Sequence, residues 1–232
     1  MLKAWDELPE WMRTPEVKEY YDVLAKRKGS LLLKRIFDLV VSVFTLIVTS
    51  PIMVAIAIAI AIDSPGGVFY RQVRVTTYGR EFCIHKFRTM VANADKIGTQ
   101  VTVGNDARVT KIGAFLRKYR LDEIPQLLDI VAGTMTFVGT RPEVPKYVEQ
   151  YTEEMKATLL LPAGVTSEAS IRFKDEADLL DVSGDVDCVY VEKVLPIKMK
   201  YNLDSLKKFS FVAEIATMFR TVFAVLGKNY SE

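Results

Sequence analysis

From Leu39 to Ile62 the chain runs for 24 residues without a charge, and 19 of them are apolar. About 20 helical residues cross a bilayer core, so the segment is long enough to span one. It could also re-enter the face it left, or be a helix buried in a protein core. Ser50-Pro51 falls in its middle, with Thr49 just before. Proline has no amide to donate and its ring clashes one turn back, so a bend or break is expected there. The neighbouring hydroxyls can satisfy the carbonyls that the proline frees. Both flanks are basic: Lys26, Arg27, Lys28, Lys34 and Arg35 precede the segment, and Arg71, Arg74, Arg80, Lys86 and Arg88 follow it. The positive-inside rule then favours neither orientation of a single crossing, whereas a re-entrant hairpin returns both flanks to one face. Asp38, at the entrance, is expected to pair with Lys34 or Arg35 one turn back. The alternation from Ala55 to Ile62 has a strand-like period, but the length of the run and its lack of turn signals favour a helix.

Elsewhere the composition is that of a globular domain, which excludes disorder, and no second long uncharged stretch points to a polytopic membrane protein. Cys83 and Cys188 fit neither a disulfide framework nor a zinc pattern. The opening residues carry acids and two tryptophans in place of a signal peptide's apolar core, so the hydrophobic segment is expected to remain in the mature protein. The net charge of +2 conceals an asymmetry. Residues 66–141 carry twelve basic and six acidic side chains, and residues 142–204 carry seven and thirteen. The basic block suits phosphates or an anionic lipid surface, with a solvated charged face as the ordinary alternative.

The patterning predicts a mostly helical α/β-type catalytic domain with a membrane-embedded re-entrant helix and interfacial amphipathic helices. Residues 1–30 read as a polar helical extension, whose Trp5 and Trp11 suit either a membrane interface or a small packed cap. Residues 31–65 form the membrane helix, 66–205 the catalytic domain and 206–232 a C-terminal amphipathic helix. Strands are expected at Val68–Val73 and Glu81–Arg88 around a turn at Tyr78-Gly79-Arg80. Helices are expected over Val109–Tyr119 and Asp122–Val131, with Pro125 in the first turn of the second so that Asp122 and Glu123 sit at its N-terminus. In Phe209–Leu226 the apolar positions line one helical face, which reads first as core and secondly as membrane-surface contact.

The segment Arg117-Lys-Tyr-Arg-Leu-Asp-Glu-Ile-Pro-Gln126 sets two adjacent carboxylates a few residues after three cations. A carboxylate pair can hold Mg²⁺ together with substrate phosphates, and an ionised Asp can attack phosphorus once cations screen its approach. An acidic first turn that merely stabilises a helix is the plain alternative. Lys86-Phe-Arg-Thr-Met90 and Phe137-Val-Gly-Thr-Arg-Pro142 offer further cations, and His85 beside the first set reads as structural.

In order, Lys34-Arg-Ile-Phe-Asp38, the Ser50-Pro51 break, Lys86-Phe-Arg-Thr-Met90, Leu121-Asp-Glu-Ile-Pro-Gln126 and Phe137-Val-Gly-Thr-Arg-Pro142 resemble the bacterial sugar transferases, the small monotopic phosphoglycosyl transferases, over residues 30–226. The resemblance implies transfer of a sugar-1-phosphate from a nucleoside diphosphate sugar, usually a UDP-sugar, to undecaprenyl phosphate, with Mg²⁺ as cofactor and release of UMP. It implies Asp122 as a nucleophile that forms a covalent phosphosugar, and Glu123 as the second acid, with both assigned to the metal. Lys86, Arg88, Arg117 and Arg141 match family cations, to which Arg74 is added as a further phosphate contact. Lys34, Arg35, Asp38, Ser50 and Pro51 match the membrane motif, implying a monotopic protein on the cytoplasmic face of the bacterial inner membrane. The expected partners are donor, acceptor and bilayer, with no nucleic acid; a homo-oligomer is neither required nor excluded. Thr76, Thr140 and the stretch Ala163–Lys174 depart from the common family pattern, so the donor sugar does not carry over. Two other classes compete: a membrane-tethered, non-enzymatic binding module, and a different Mg²⁺-dependent phosphotransferase.

Overall fold

A computed structural model describes residues 2–94, 106–173, 186–225 and 227. The fold among these is mostly helical, with two small sheets. Two 3₁₀ turns, Trp5–Glu7 and Glu10–Met12, lead into helix α1, Pro15–Ala25, whose Thr14 caps the N-terminus through Val17 N. This segment is a packed cap. Met12, Val17, Tyr20 and Leu24 are buried in a core shared with Tyr147, Leu160, Leu195 and Met199. Trp5 meets Tyr21 edge-on, and Trp11 lies over Gly79.

Helix α2 runs from Lys28 to Asp63, so the Ala/Ile alternation is helical. It is long and apolar enough to cross a membrane. The helix continues through Pro51, and Ser50 Oγ donates to the Ile47 carbonyl at 2.8 Å, the acceptor that a proline four residues on leaves without its amide. One stripe of α2 lies against the globular body along both halves. Lys34, Asp38 and Ser42 are buried, Leu46 joins the cluster around Ile130, and Met53, Ile56, Ala57 and Ile60 pack with Phe87 and Leu116. The other faces are exposed, with Val40, Phe44, Ile47, Val54 and Ile62 among them.

The lower end of α2 is fastened by its basic-acidic motif. Lys34 Nζ donates to the Val138 carbonyl at 2.8 Å and to Glu214. Arg35 donates to the carbonyls of Ile130 and Val131, which end a later helix. Asp38 does not pair with Lys34 or Arg35, as its spacing predicts. It accepts from Thr136 Oγ1 at 2.5 Å, because burial against a strand offers a hydroxyl where the surface geometry offered only cations.

Strands β1, Phe69–Val75, and β2, Glu81–Phe87, form the expected antiparallel hairpin, with Tyr78 and Gly79 at positive φ in the turn. Helix α3, Lys111–Lys118, comes so close to the Thr89 main chain that a Cβ on Gly113 would sit 2.0 Å from the Thr89 carbonyl oxygen. Helix α4 spans Gln126–Ala132 and ends at Gly133 in the left-handed region. Strands β3, Met135–Val138, and β4, Ala163–Thr166, are parallel. Between them lie helix α5, Pro145–Val148, and a 3₁₀ stretch, Met155–Leu160. Thr76 links the two sheets, since its hydroxyl donates to the Thr134 carbonyl and accepts from Ala163 N–H. Helix α6, Glu168–Arg172, follows β4. Helix α7, Val186–Val189, passes through a π-helical stretch, Tyr190–Val194, into α8, Leu195–Lys207.

The last described helix, α9, covers Phe211–Val225; Leu226, the predicted end, lies outside the described residues. Its apolar stripe is packed only in part: Phe211 meets Phe37 edge-on at 5.7 Å. Val212, Phe219 and Val222 are exposed, while polar residues make the docking contacts: Glu214 to Lys34, Arg220 and Thr217 to Glu168, and Thr221 to Thr166 at 2.8 Å. Polar partners on β4, α6 and α2 hold one face of α9, and much of its apolar stripe is left toward solvent.

Candidate active site

Asp122 and Glu123 lie on a 3₁₀ turn, Leu121–Glu123, that precedes α4 rather than within its first turn. Pro125 explains the difference, because it has no amide to continue the ladder and the helix restarts at Gln126. Arg120, at φ 56°, turns the chain sharply out of α3 into this turn. The turn opens on a cleft of about 1180 Å³ lined, among the described residues, by ten lysines and arginines against two carboxylates, Asp122 and Glu123. A cleft with this charge ratio is built for polyanions.

The two acids have different partners. Glu123 is held by Lys86 Nζ at 3.0 Å and by both terminal nitrogens of Arg141. Burial would raise its pKa, but the Arg141 and Lys86 charges overcome that and hold it well below the carboxylate range. Lys86 is pulled down by burial, against the pull of Glu123, and Arg141 is pushed up chiefly by Glu123. Asp122 moves the other way. Burial and then the Glu123 charge raise its pKa, against Lys86, Arg117 and Arg120. Its Oδ1 is buried with no hydrogen-bond partner among the described residues. One acid is thus a fixed anion that organises two cations; the other is desolvated and uncommitted.

Arg141 owes its position to a close contact of main chains. A Cβ on Gly164 of β4 would lie 2.2 Å from Gly139, and Gly164 N–H donates to the Thr140 carbonyl at 2.8 Å. The Gly139–Pro142 turn is therefore pressed against β4, where Arg141 also donates to the Val165 carbonyl. Arg74 donates to the Pro142 carbonyl and to Gln72, and Arg117 Nε to Thr89 Oγ1 at 2.9 Å. Both line the cleft. The terminal nitrogens of Arg117 have no hydrogen bond among the described residues, so they face the cleft uncommitted. Arg88 also lines it, yet its terminal nitrogens donate to Ser64 and to the Pro65 carbonyl, closing the upper end of α2. His85 lies outside the cleft lining, fixed by Asp129 through ring Nδ1 at 2.7 Å and main-chain N–H at 2.9 Å.

The structure thus gathers Arg74, Lys86, Arg88, Arg117, Asp122, Glu123 and Arg141 around one cleft. Lys34, Arg35 and Asp38 instead fasten α2, and Ser50 and Pro51 lie along it. Sequence reasoning did not single out Arg71, Arg108, Lys118, Arg120 or Lys146 as lining residues. Arg71 was legible only as a flanking charge, and Lys118 and Arg120 as neighbours of the dyad. Gln126, four residues after Asp122, is 1% exposed with neither amide atom paired among the described residues.

The family model of the bacterial sugar transferases matches residues 29–228. The chain belongs to the bacterial sugar transferase family. Among curated members of this family, it is 36% identical over 197 residues to the UDP-glucose:undecaprenyl-phosphate glucose-1-phosphate transferase of Escherichia coli K12, covering 83% of this chain and 40% of that protein. It is 31% identical to the UDP-N-acetylgalactosamine-undecaprenyl-phosphate N-acetylgalactosaminephosphotransferase of Aeromonas hydrophila, covering 84% and 44%. It is 32% identical to the undecaprenyl-phosphate galactose phosphotransferase of Salmonella typhimurium, covering 89% and 43%. The chain therefore spans about two fifths of the length of these sugar transferases.

Proposed function

We propose that the chain transfers a sugar-1-phosphate from a nucleoside diphosphate sugar, of the UDP class, to undecaprenyl phosphate through a covalent Asp122 intermediate. The observation that carries this reading is the buried Oδ1 of Asp122, without a partner among the described residues, in a cationic cleft beside a Glu123 whose Oε1 is held by Lys86 and Arg141. In the first step, an Asp122 oxygen attacks the phosphorus that bears the sugar. A P–O bond to Asp122 forms, the bond to the bridging oxygen of the diphosphate breaks, and that oxygen leaves with its electron pair on UMP. Arg117 and Arg141 hold the phosphates and Lys86 screens the carboxylate's approach. In the second step an oxygen of the acceptor phosphate attacks the same phosphorus, the bond to Asp122 breaks and the carboxylate is regenerated. The product is a lipid diphosphate sugar.

The site has donors for Mg²⁺. Among the described residues Asp122 Oδ1 has no partner and Glu123 Oε2 makes only a 3.4 Å contact with Arg141, so each acid would keep an oxygen for the metal. When bound, Mg²⁺ supplies neutralisation of the donor's diphosphate charge.

A panel of nucleoside diphosphate sugars, each given to the purified chain with undecaprenyl phosphate and Mg²⁺, tests the reaction. Nucleoside monophosphate release with at least one donor is expected. Folded protein that releases none with any donor would overturn this reading and leave the binding module or a phosphotransferase that uses no nucleotide sugar.

For topology, we infer that α2 enters and leaves through the cytoplasmic face. The body touches α2 along both halves, which leaves no clear run of about 30 Å for a crossing. The exposed apolar residues of α9 then suit the interface of the same leaflet. Cysteines placed at Lys28 and Pro65, in a background without the native ones, are expected to label with an impermeant reagent from one side only. Labelling from opposite sides would establish a crossing.

A further inference from the structure

Arg120 joins α3 to the turn that carries Asp122. Its left-handed backbone is one that glycine adopts more readily than any residue with a Cβ. Its side chain is exposed, lines the cleft beside Asp122 and has no hydrogen bond or ion pair among the described residues. Neighbouring Lys118, also exposed, lies over the Tyr119 ring at 5.6 Å. Phe115 and Tyr119 are 54% and 52% exposed, with ring centroids 4.9 Å apart. On the same stripe of α3, Ile112 and Leu116 pack on the apolar second half of α2, so the two rings stand at the margin of that contact. Two exposed cations of the cleft lining thus adjoin two exposed rings on a helix that packs on the membrane-length helix.

We propose that Arg120, with Lys118, receives the phosphate of a polyprenyl phosphate acceptor arriving from the α2 side, while Phe115 and Tyr119 meet the first units of its hydrocarbon chain. This rests on the reading of Asp122 given above. A nucleotide sugar has no apolar tail to match the two rings, whereas the acceptor carries an anion and a tail joined end to end. Lys86 and Arg141, already drawn to Glu123, remain for the donor. When the acceptor oxygen bonds to phosphorus and the Asp122–phosphorus bond breaks, Arg120 offsets the repulsion between two phosphate groups.

Arg120→Gly separates this role from a structural one, because glycine suits the backbone while the cation is lost. The full chain in zwitterionic vesicles is expected to show an acceptor KM raised about 10-fold or more, and Arg120→Lys to recover part of it. The single-turnover burst of nucleoside monophosphate without acceptor, which also reads the Arg120 charge near Asp122, should lose clearly less than acceptor kcat/KM does. An unchanged acceptor KM, or an equal loss in the burst, overturns the proposal. So does a defect that consists only of weaker association with phosphatidylglycerol vesicles, which would assign the cations to bulk headgroups. Binding of a short-chain polyprenyl phosphate without donor should weaken in parallel. That measurement reads the contact even if wild type gave no burst, the outcome that would sink the Asp122 reading instead.

Discussion

Asp122→Asn is expected to lower turnover by about 10³-fold or more while leaving the protein folded. The amide matches the carboxylate in shape but has no anionic oxygen to bond to phosphorus. Stability should hold or rise, because burial and the neighbouring Glu123 already penalise the charge on Asp122 and its Oδ1 has no partner among the described residues. Two measurements belong together: single-turnover release of nucleoside monophosphate, and the unfolding midpoint in detergent. Lost release at an unchanged or higher midpoint is the result expected of a nucleophile. Turnover close to wild type in the folded variant would remove Asp122 from the mechanism, and a collapsed midpoint would assign it to the fold.

The sequence made the hairpin, α3 and the grouping of the site legible, for reasons that can be traced. Period-2 patterning and Tyr78-Gly79 mark β1 and β2, and the apolar spacing of 112, 115, 116 and 119 marks α3. Strands β3 and β4 escaped notice because each has four residues and their pairing spans a long connection. For α9 the apolar stripe alone could not decide between core and surface contact, because what orients the helix is the polar set Glu214, Thr217 and Arg220 on its other side. The roles of Arg88 and Asp38 could not be separated by residue type. A guanidinium at a helix end and a guanidinium on a phosphate look alike until the carbonyls of Ser64 and Pro65 are in place.

Lys34→Met is expected to destabilise the fold by about 3 kcal/mol, the largest stability effect of a single change at the α2 contact. The pair Lys34–Glu214 is nearly buried, with side-chain exposures of 8% and 12%. Without the ammonium, Glu214 keeps a buried charge, and Val138 keeps an unpaired carbonyl. Burial already raises the Glu214 pKa, with Asp38 and Glu168 adding to it and Lys34 opposing. Removing Lys34 raises it further, so the folded state binds more protons than the unfolded chain over the range between their pKa values. Stability of the variant must then fall as pH rises through that window. Denaturation midpoints between pH 5 and 8 would show the slope, and adding Glu214→Gln should flatten it. A variant with a flat profile and a wild-type midpoint would mean that the pair does not hold α2.

The grip on α2 is largely a grip on main chain. Lys34 holds the carbonyl of Val138, Arg35 those of Ile130 and Val131, and Arg88 those of Ser64 and Pro65. Carbonyl oxygens do not change when residues are exchanged, so the receiving positions are free to vary in side chain without releasing the helix. The three donors have no such freedom. Sequence drift at this seam should therefore be one-sided, with the basic residues held constant and their five acceptors open to substitution.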